Sequence, residues 1–379
     1  MSVRPIFLYW GRKGITALTY DIGVALAHRG DVEWRLSVSR QNEQFERFAA
    51  FGNRLMPVDT FTHGIGSLRL WRSAALGQRL ANLIRTAGMT DVVTLMPHVW
   101  SALVAPAVRR AGARYHTILH DAQLHPGDRS GIVLPVLLRD AARADSVITL
   151  SDAVAEQALA RGLARADRLV RLFHPANGPA GPGVAAAPGP GEPWRLLFLG
   201  RIQAYKGLPI LIDAVSQLRA EGHAVTLSVM GEGSLGDDAK RLATLGATIV
   251  NRWLNEDEIA AALSTHHAVV LAHIEASQSG VAASAVGAGA PIVATPVGGL
   301  LEQVVDGETG LLAARPDADA LADALRRLIT TPGLHASLAM GAMHRRHELS
   351  TDRFVARLLE SLQAMAAMSG QCRSSSTAA

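Results

Sequence analysis

Arg201 and Lys206 stand in the run G-R-I-Q-A-Y-K-G, Gly200 to Gly207, directly after an apolar stretch that reads as a strand. Gly200 before Arg201 and Gly207 after Lys206 give the backbone room to turn and to approach a ligand closely. Two cations at a strand's carboxyl end suit a diphosphate leaving group, whose negative charge grows as the bond to its passenger breaks. The chemistry implied is transfer of a group carried on a nucleoside diphosphate. A solvated loop pair is the other reading, and it leaves the flanking glycines without a purpose.

Such a loop needs a scaffold, and the chain is long enough for two. Its 379 residues exceed the usual single-domain size, and 49% hydrophobic against 18% charged residues supports two ordinary cores. Apolar stretches at 5–10, 32–39, 91–96, 115–120, 146–150 and 169–173 read as strands separated by helix-like spacing. After a Pro/Gly-rich run from Pro175 to Pro193, a second series follows near 195–200, 225–230, 247–251, 268–272 and 292–295. This β-α-β rhythm predicts an α/β fold of two doubly wound, Rossmann-like parallel-sheet domains facing across a cleft. The expected boundaries are residues 1–176 for the first domain, 177–194 for the linker and 195–348 for the second. An amphipathic helix at 349–368 would cross back to the first domain, and 369–379 would be a disordered tail.

Cys372 is the single cysteine and lies in that tail, so there is no disulfide framework and the plain expectation is a reducing cytoplasm. No apolar run reaches the roughly 18 residues that span a bilayer, and M-S-V-R-P-I-F-L-Y-W leads into a strand instead of resembling a signal peptide. Residues 1–190 hold 22 Lys/Arg against 14 Asp/Glu, and residues 191–379 hold 15 against 19. The basic first half fits either attraction to an anionic surface, such as phospholipid or a lipid diphosphate, or an ordinary Arg-rich surface. The stretch Ser67 to Thr86 places basic residues and Trp71 on a helix, which is either a membrane-interface face or a cover for the sheet.

Several pieces in order carry a resemblance: G-R-I-Q-A-Y-K-G, V-M-G-E-G at 229–233, N-R-W-L at 251–254, I-E-A-S-Q-S-G-V at 274–281, and G-A-P-I-V-A-T-P-V-G-G-L-L-E-Q-V-V-D-G-E-T-G-L-L at 289–312. Over about 130 residues the second half resembles the nucleotide-sugar domain of family 4 retaining glycosyltransferases, which have the GT-B architecture. The resemblance implies that Arg201 and Lys206 bind the donor's diphosphate. Gly231 and Gly233 would let the nucleoside lie against bare backbone, or are ordinary turn glycines. Asn251, Arg252 and Trp253, at another strand end, would read the base through backbone groups; a core-packed Trp253 is the alternative. Ser277, Gln278, Ser279 and Gly280 form the turn before a helix beginning near Val281, a second anion seat, although Ser279 alone is also explained as a helix cap.

The chain departs from the family pattern at one point. The commoner motif has two glutamates eight apart, the second seven residues before the proline of G-x-P, and counting back from Pro291 lands on Ser284. A serine could make only a weaker contact to the donor ribose. Glu275, nine residues before Ser284, is the remaining acid and could orient the sugar or steady the reacting centre.

The first half is more divergent. Y-W-G-R-K-G-I-T resembles the family's glycine loop, with Gly11 and Gly14 near the donor phosphate and Arg12 and Lys13 adding charge, or it is a plain strand-to-helix turn. H-T-I-L-H-D-A-Q-L-H-P-G-D, from His116 to Asp128, resembles a variant in which a histidine after a central strand reaches the donor sugar. His120 is placed in that role, with Asp121 and His125 on the acceptor side; strand-end position separates it from an ordinary core histidine.

The resemblance implies front-face attack, the departing phosphate oxygen taking the acceptor's proton. Paired carboxylates like those of retaining hydrolases are not evident, nor is a D-x-D-like metal site. No cofactor is expected, and Arg201 and Lys206 would do electrostatically what a metal ion does elsewhere. The expected partners are a UDP- or GDP-sugar donor and a saccharide or lipid-linked acceptor in surface-polysaccharide assembly. Peripheral contact with the inner face of an anionic membrane fits the charge; no nucleic acid is expected. Alternatives are a nucleotide-sugar epimerase, with His120 and Glu275 as acid and base, and an inactive nucleotide-sugar-binding subunit. A dinucleotide dehydrogenase fits poorly, because no G-x-G-x-x-G follows the first strand.

Overall fold

The computed structural model describes residues 3–62, 70–123, 134–177 and 184–376. The chain divides into two compact units, one formed by residues 1–123, 130–173 and 351–379 and the other by 124–129 and 174–350. Each unit is built on one all-parallel sheet.

The first sheet contains β1 (Pro5–Tyr9), β2 (Arg35–Ser39), β3 (Leu55–Val58), β4 (Asp91–Thr94), β5 (Arg114–Leu119), β6 (Ser146–Thr149) and β7 (Leu169–Arg171). Their order is β3-β2-β1-β4-β5-β6-β7. Strand alternation sends Phe7 and Tyr9 into one apolar cluster and Ile6, Leu8 and Trp10 into another, so both faces need cover. That cover comes from α1 (Thr16–Ala27), α2 (Leu70–Ala87), α3 (Ser101–Arg110), α4 (Leu134–Arg143) and α5 (Asp152–Ala160).

The second sheet contains β8 (Trp194–Leu199), β9 (Val225–Met230), β10 (Thr248–Val250), β11 (Ala268–Leu271), β12 (Ile292–Ala294) and β13 (Gly310–Leu312), in the order β10-β9-β8-β11-β12-β13. Leu196 and Phe198 pack with Val270 on one face, and Leu197 and Leu199 with Val269 and Leu271 on the other. Its helices are α6 (Leu208–Ala220), α7 (Asp238–Thr244), α8 (Glu256–Thr265), α9 (Gly280–Ala288), α10 (Leu300–Gln303), α11 (Ala318–Thr330) and α12 (Leu334–Glu348). Asn255 and Glu258 close a reciprocal capping box on α8, and the Asp317 side chain caps α11.

The last helix, α13 (Thr351–Ser376), belongs to the first unit and packs on α1. Phe354, Val355, Leu358, Leu359 and Leu362 form the apolar stripe that enters that unit's core. Its helical backbone continues past Met368, where the sequence reading ended it.

Two doubly wound parallel sheets are thus present as the repeating pattern implied, with two strands added that the pattern did not show. β3 contains Pro57 and β13 is only three residues long. Both are edge strands, where a missing N–H or a short run is tolerated because only one side pairs. In both sheets the strand order reverses direction, between β1 and β4 and between β8 and β11, and ligand crevices of such sheets open there at the carboxyl ends.

Candidate functional site

In the second unit the loops after β8, β9, β11 and β12 are knitted together at the carboxyl ends. Gly200 N–H donates to Met230 O at 2.9 Å, Ile202 N–H to Glu232 O at 2.9 Å, and Ile274 N–H to Tyr205 O at 2.8 Å. Gly231 has φ 148°, and a Cβ on it would lie 1.9 Å from Gly200 O, so the glycine permits the contact between the first two loops. Asn251 ties the same place from β10: its Oδ1 accepts from Gly233 N–H at 3.1 Å and its Nδ2 donates to Gly233 O at 2.9 Å.

Lys206 ends a short 3-10 turn, Ala204–Lys206, that Gly207 closes at φ 65°. A Cβ on Gly207 would meet Ala272 O at 1.8 Å, so the turn lies hard against the end of β11. Lys206 is only 8% exposed, and its Nζ is 2.6 Å from Nε2 of His273, itself 2% exposed. The ammonium must be the donor, so this contact requires an unprotonated Nε2 and a neutral imidazole. His273 is fixed from behind, its carbonyl accepting from Thr295 Oγ1 at 2.5 Å and its ring edge-on to Tyr205 at 6.1 Å. Arg201 differs: it is exposed, and no hydrogen bond or ion pair to it is found among the described residues.

Ser277, Gln278 and Ser279 form the turn into α9. Ser279 Oγ accepts from Ala282 N–H at 3.3 Å as the helix cap. Gln303 grips the same residue twice, accepting from Ser279 N–H at 2.8 Å and donating to Ser279 O at 3.0 Å. Gly299 N–H donates to Ala276 O at 3.0 Å, which brings the loop after β12 onto this turn. Gly280 opens α9 and Ser284 lies one turn further along it, while Glu275 is half-buried in the loop after β11. The β8 and β11 loops therefore bring Arg201, Lys206, Glu275 and the Ser277–Gly280 turn to one sheet's switch point.

Arg252 is committed elsewhere, with two bonds to the Glu258 carboxylate at 2.9 and 2.5 Å, and Glu258 is pulled down to about 2 chiefly by that guanidinium. Trp253 does not pack the core; it is 40% exposed beside β10.

In the first unit the loop after β1 carries Gly11, Arg12, Lys13 and Gly14. Tyr9 Oη donates to Lys13 O at 2.7 Å, and Asn42 Nδ2 donates to Gly11 O at 2.9 Å and to Thr16 Oγ1 at 3.0 Å. Burial pushes the Tyr9 phenol up to about 12, which keeps it a donor. Arg12 and Lys13 both approach Glu43 Oε1, at 3.5 and 3.4 Å, so part of the charge they bring is neutralised locally. His120 follows β5; its Nε2–H donates to Leu95 O at 2.8 Å, and burial lowers its pKa, favouring the neutral ring. Asp121 is exposed beside it, and His125 lies outside the described residues.

His273, Gln303, Tyr9 and Asn42 were not foreseen. His273 had the signal used for His120, a histidine just past a strand, and Gln303 lies within the recognised G-G-L-L-E-Q run. Tyr9 and Asn42 gave none: Tyr9 reads as one more apolar strand residue although its hydroxyl bonds Lys13 O, and Asn42 bonds backbone 31 residues away. Among the described residues no group of three or more His, Cys, Asp or Glu side chains is placed to hold a metal ion, and no helix is long and apolar enough to cross a membrane.

Residues 193–331 match the family described as Glycosyl transferases group 1. A glycogen synthase of Mycobacterium tuberculosis is 34% identical over 157 residues, 40% of this chain and 38% of that protein, so the match spans well under half of that relative. A 2-deoxystreptamine glucosyltransferase of Streptomyces kanamyceticus is 27% identical over 297 residues, covering 71% of this chain and 75% of that one. The crystal structure of Anabaena HepE in complex with UDP and glucose superposes with a TM-score of 0.72 over 95% of this chain and 99% of that chain, at 19% identity. The second unit of this chain is accordingly similar to the glycosyl transferases group 1 family, and the chain has the two-sheet GT-B fold.

Proposed function

We propose that the chain transfers a glycosyl group, with retention, from a nucleoside-diphosphate sugar to a hydroxyl of a saccharide or lipid-linked acceptor, the second unit holding the donor and the first the acceptor. The observation that carries the reading is the meeting of Lys206, Arg201 and the Ser277–Gly280 turn at the β8/β11 switch point. The ammonium and guanidinium take the diphosphate from one side and the α9 amino terminus takes it from the other. As the bond from the anomeric carbon to the phosphate oxygen breaks, charge grows on the diphosphate, and the fixed cations stabilise it more than they stabilise the ground state. The acceptor oxygen bonds to the anomeric carbon on the same face, and its proton passes to the departing phosphate oxygen.

Gly231 and Gly233 leave room for the nucleoside, with Asn251 holding that loop in shape. Arg252, bound to Glu258, acts through its backbone and not as a free charge. Glu275 orients the donor sugar, Ser284 substitutes a hydroxyl for the carboxylate at the ribose, and His120, whose Nε2–H bonds Leu95 O, meets a sugar hydroxyl as a neutral acceptor. UDP and UDP-glucose complexes of the fold neighbour favour a uridine nucleotide for the first trial.

Incubation with UDP- and GDP-sugars and a saccharide acceptor, read by anomeric proton NMR of the product, tests the reading. Transfer with retained configuration is expected; inversion, isomerised donor, or nucleotide binding without turnover under all pairings would refute it. Activity should persist in EDTA, and loss restored by Mn²⁺ or Mg²⁺ would overturn the assignment of charge neutralisation to Lys206 and Arg201.

A further inference from the structure

We propose that a recess at the carboxyl ends of β2 and β3 is a binding subsite for a small phosphorylated polyol. Given the reading that the first unit takes the acceptor, the recess would hold that acceptor's charged end. It has a volume of about 370 Å³ and is lined by Gln41 after β2, Val58 and Asp59 at the end of β3, and one face of α2. That volume is at the low end for small-molecule sites, suiting a single ring and not an extended chain.

The wall from α2 is cationic. Arg72 and Arg79 both line the recess, two helical turns and about 10 Å apart along the axis. No acidic residue occurs anywhere in Leu70–Ala87, so nothing on that helix cancels them. Arg79 is aimed by a bond from its guanidinium to Pro57 O at 3.3 Å. Arg72 has no hydrogen bond or ion pair among the described residues and is available to an anion. A guanidinium's planar fork of N–H donors bonds two oxygens of a phosphate at once and carries opposite charge, so these side chains suit a phosphate better than a neutral sugar.

The opposite wall reads hydroxyls. Gln41 is held by its own oxygen, which accepts from Thr60 N–H at 2.6 Å and from Ser39 Oγ at 3.2 Å, and Ser39 and Thr60 bond each other at 2.6 Å. Its Nε2 is thereby turned toward Asp59 Oδ1 at 3.4 Å, putting an amide donor beside a carboxylate acceptor. Val58 and Leu76 between the walls offer an apolar surface for the C–H face of a ring. A carboxylate would repel a simple anion, so the set favours a molecule bearing phosphate at one end and hydroxyls at the other.

The test is thermal unfolding of the whole chain titrated with glucose 6-phosphate and with an inositol phosphate, against glucose, inositol and inorganic phosphate. The phosphorylated polyols should raise the midpoint saturably, with apparent affinity at least tenfold better than either half alone. Arg72→Gln and Arg79→Gln should each weaken that response about tenfold or more, while Asp59→Asn should lose the preference over inorganic phosphate. The UDP-induced shift should be retained in all three variants, showing that they fold and separating failure of this subsite from failure of the donor reading. No shift, a shift that ignores both arginines, or equal response to inorganic phosphate would overturn the proposal. So would arginine-dependent binding to phosphatidylglycerol vesicles without any response to soluble polyol phosphates, which would make the face a membrane contact.

Discussion

Burial separates Lys206 from Arg201 and predicts how unequally they act. Lys206 is 8% exposed and fixed on His273 at 2.6 Å, whereas Arg201 is open to solvent. A unit charge about 4 Å from a phosphate oxygen interacts by roughly 4 kcal/mol at the effective dielectric of a protein site but by only roughly 1 kcal/mol in water. Removing one preorganised donor from developing charge typically costs about 2.7–4 kcal/mol, or on the order of 10²–10³ in kcat. Lys206→Met, which keeps the alkyl chain and removes the charge, should lie in that range. Arg201→Gln should cost about tenfold or less, and its deficit relative to wild type should narrow as ionic strength rises, because salt screens the exposed cation more than the buried one. The assay is UDP release from a UDP-sugar in the presence of acceptor, with UDP affinity measured in parallel and thermal unfolding as the folding control. Equal losses, a larger loss for Arg201→Gln, or a Lys206→Met kcat within threefold of wild type would refute the assignment.

Three further outcomes follow from the buried groups. Asp140 accepts from Tyr115 Oη and Thr117 Oγ1, and burial raises it from 3.8 to about 6. Its folded value exceeds its unfolded one, so the associated stability is full below about pH 4 and is lost as pH rises through 6; Asp140→Asn should remove on the order of 3 kcal/mol of that slope in urea unfolding at pH 4 and pH 7. His267 is lowered to about 4, mainly by burial, so its stability contribution is full above 6.5 and is lost as pH falls toward 4; His267→Gln should flatten acid sensitivity by about 2 kcal/mol at pH 5. Gln303→Leu, which breaks both bonds to Ser279, should lower stability by about 1–3 kcal/mol and raise the donor KM more than it lowers kcat.

The parallel strands were legible because burial on both faces demands continuous apolar runs, as in I-F-L-Y-W after Pro5, and the turns between them need glycine and polar residues. β3 escaped because an edge strand pairs on one side and tolerates Pro57, which breaks the apolar run, and β13 because its three residues open on Gly310 and leave only two apolar positions. The cationic loop was legible because Arg201 and Lys206 sit between glycines whose spacing has a steric cause. Its partner His273 was not, since contact between residues 67 apart depends on which strands become neighbours, and β8 pairs β11 only through the crossover. Likewise Arg252 reads as a free cation in N-R-W-L, and only the α8 capping box shows that Glu258 occupies it.

A common device holds the carboxyl-end loops in each unit. Asn251 grips Gly233, Gln303 grips Ser279 and Asn42 grips Gly11, each with a side-chain amide bonding backbone of a loop or a helix start. An amide offers donor and acceptor at once without adding charge, so it fixes a loop beside an anion site without altering the field there. A carboxylate or ammonium in the same position would fix the loop as well but would repel or capture the diphosphate. The charges at the second unit's switch point can therefore be few and specific, Lys206 and Arg201, because positioning is delegated to neutral groups and the fixed geometry limits reorganisation when charge develops.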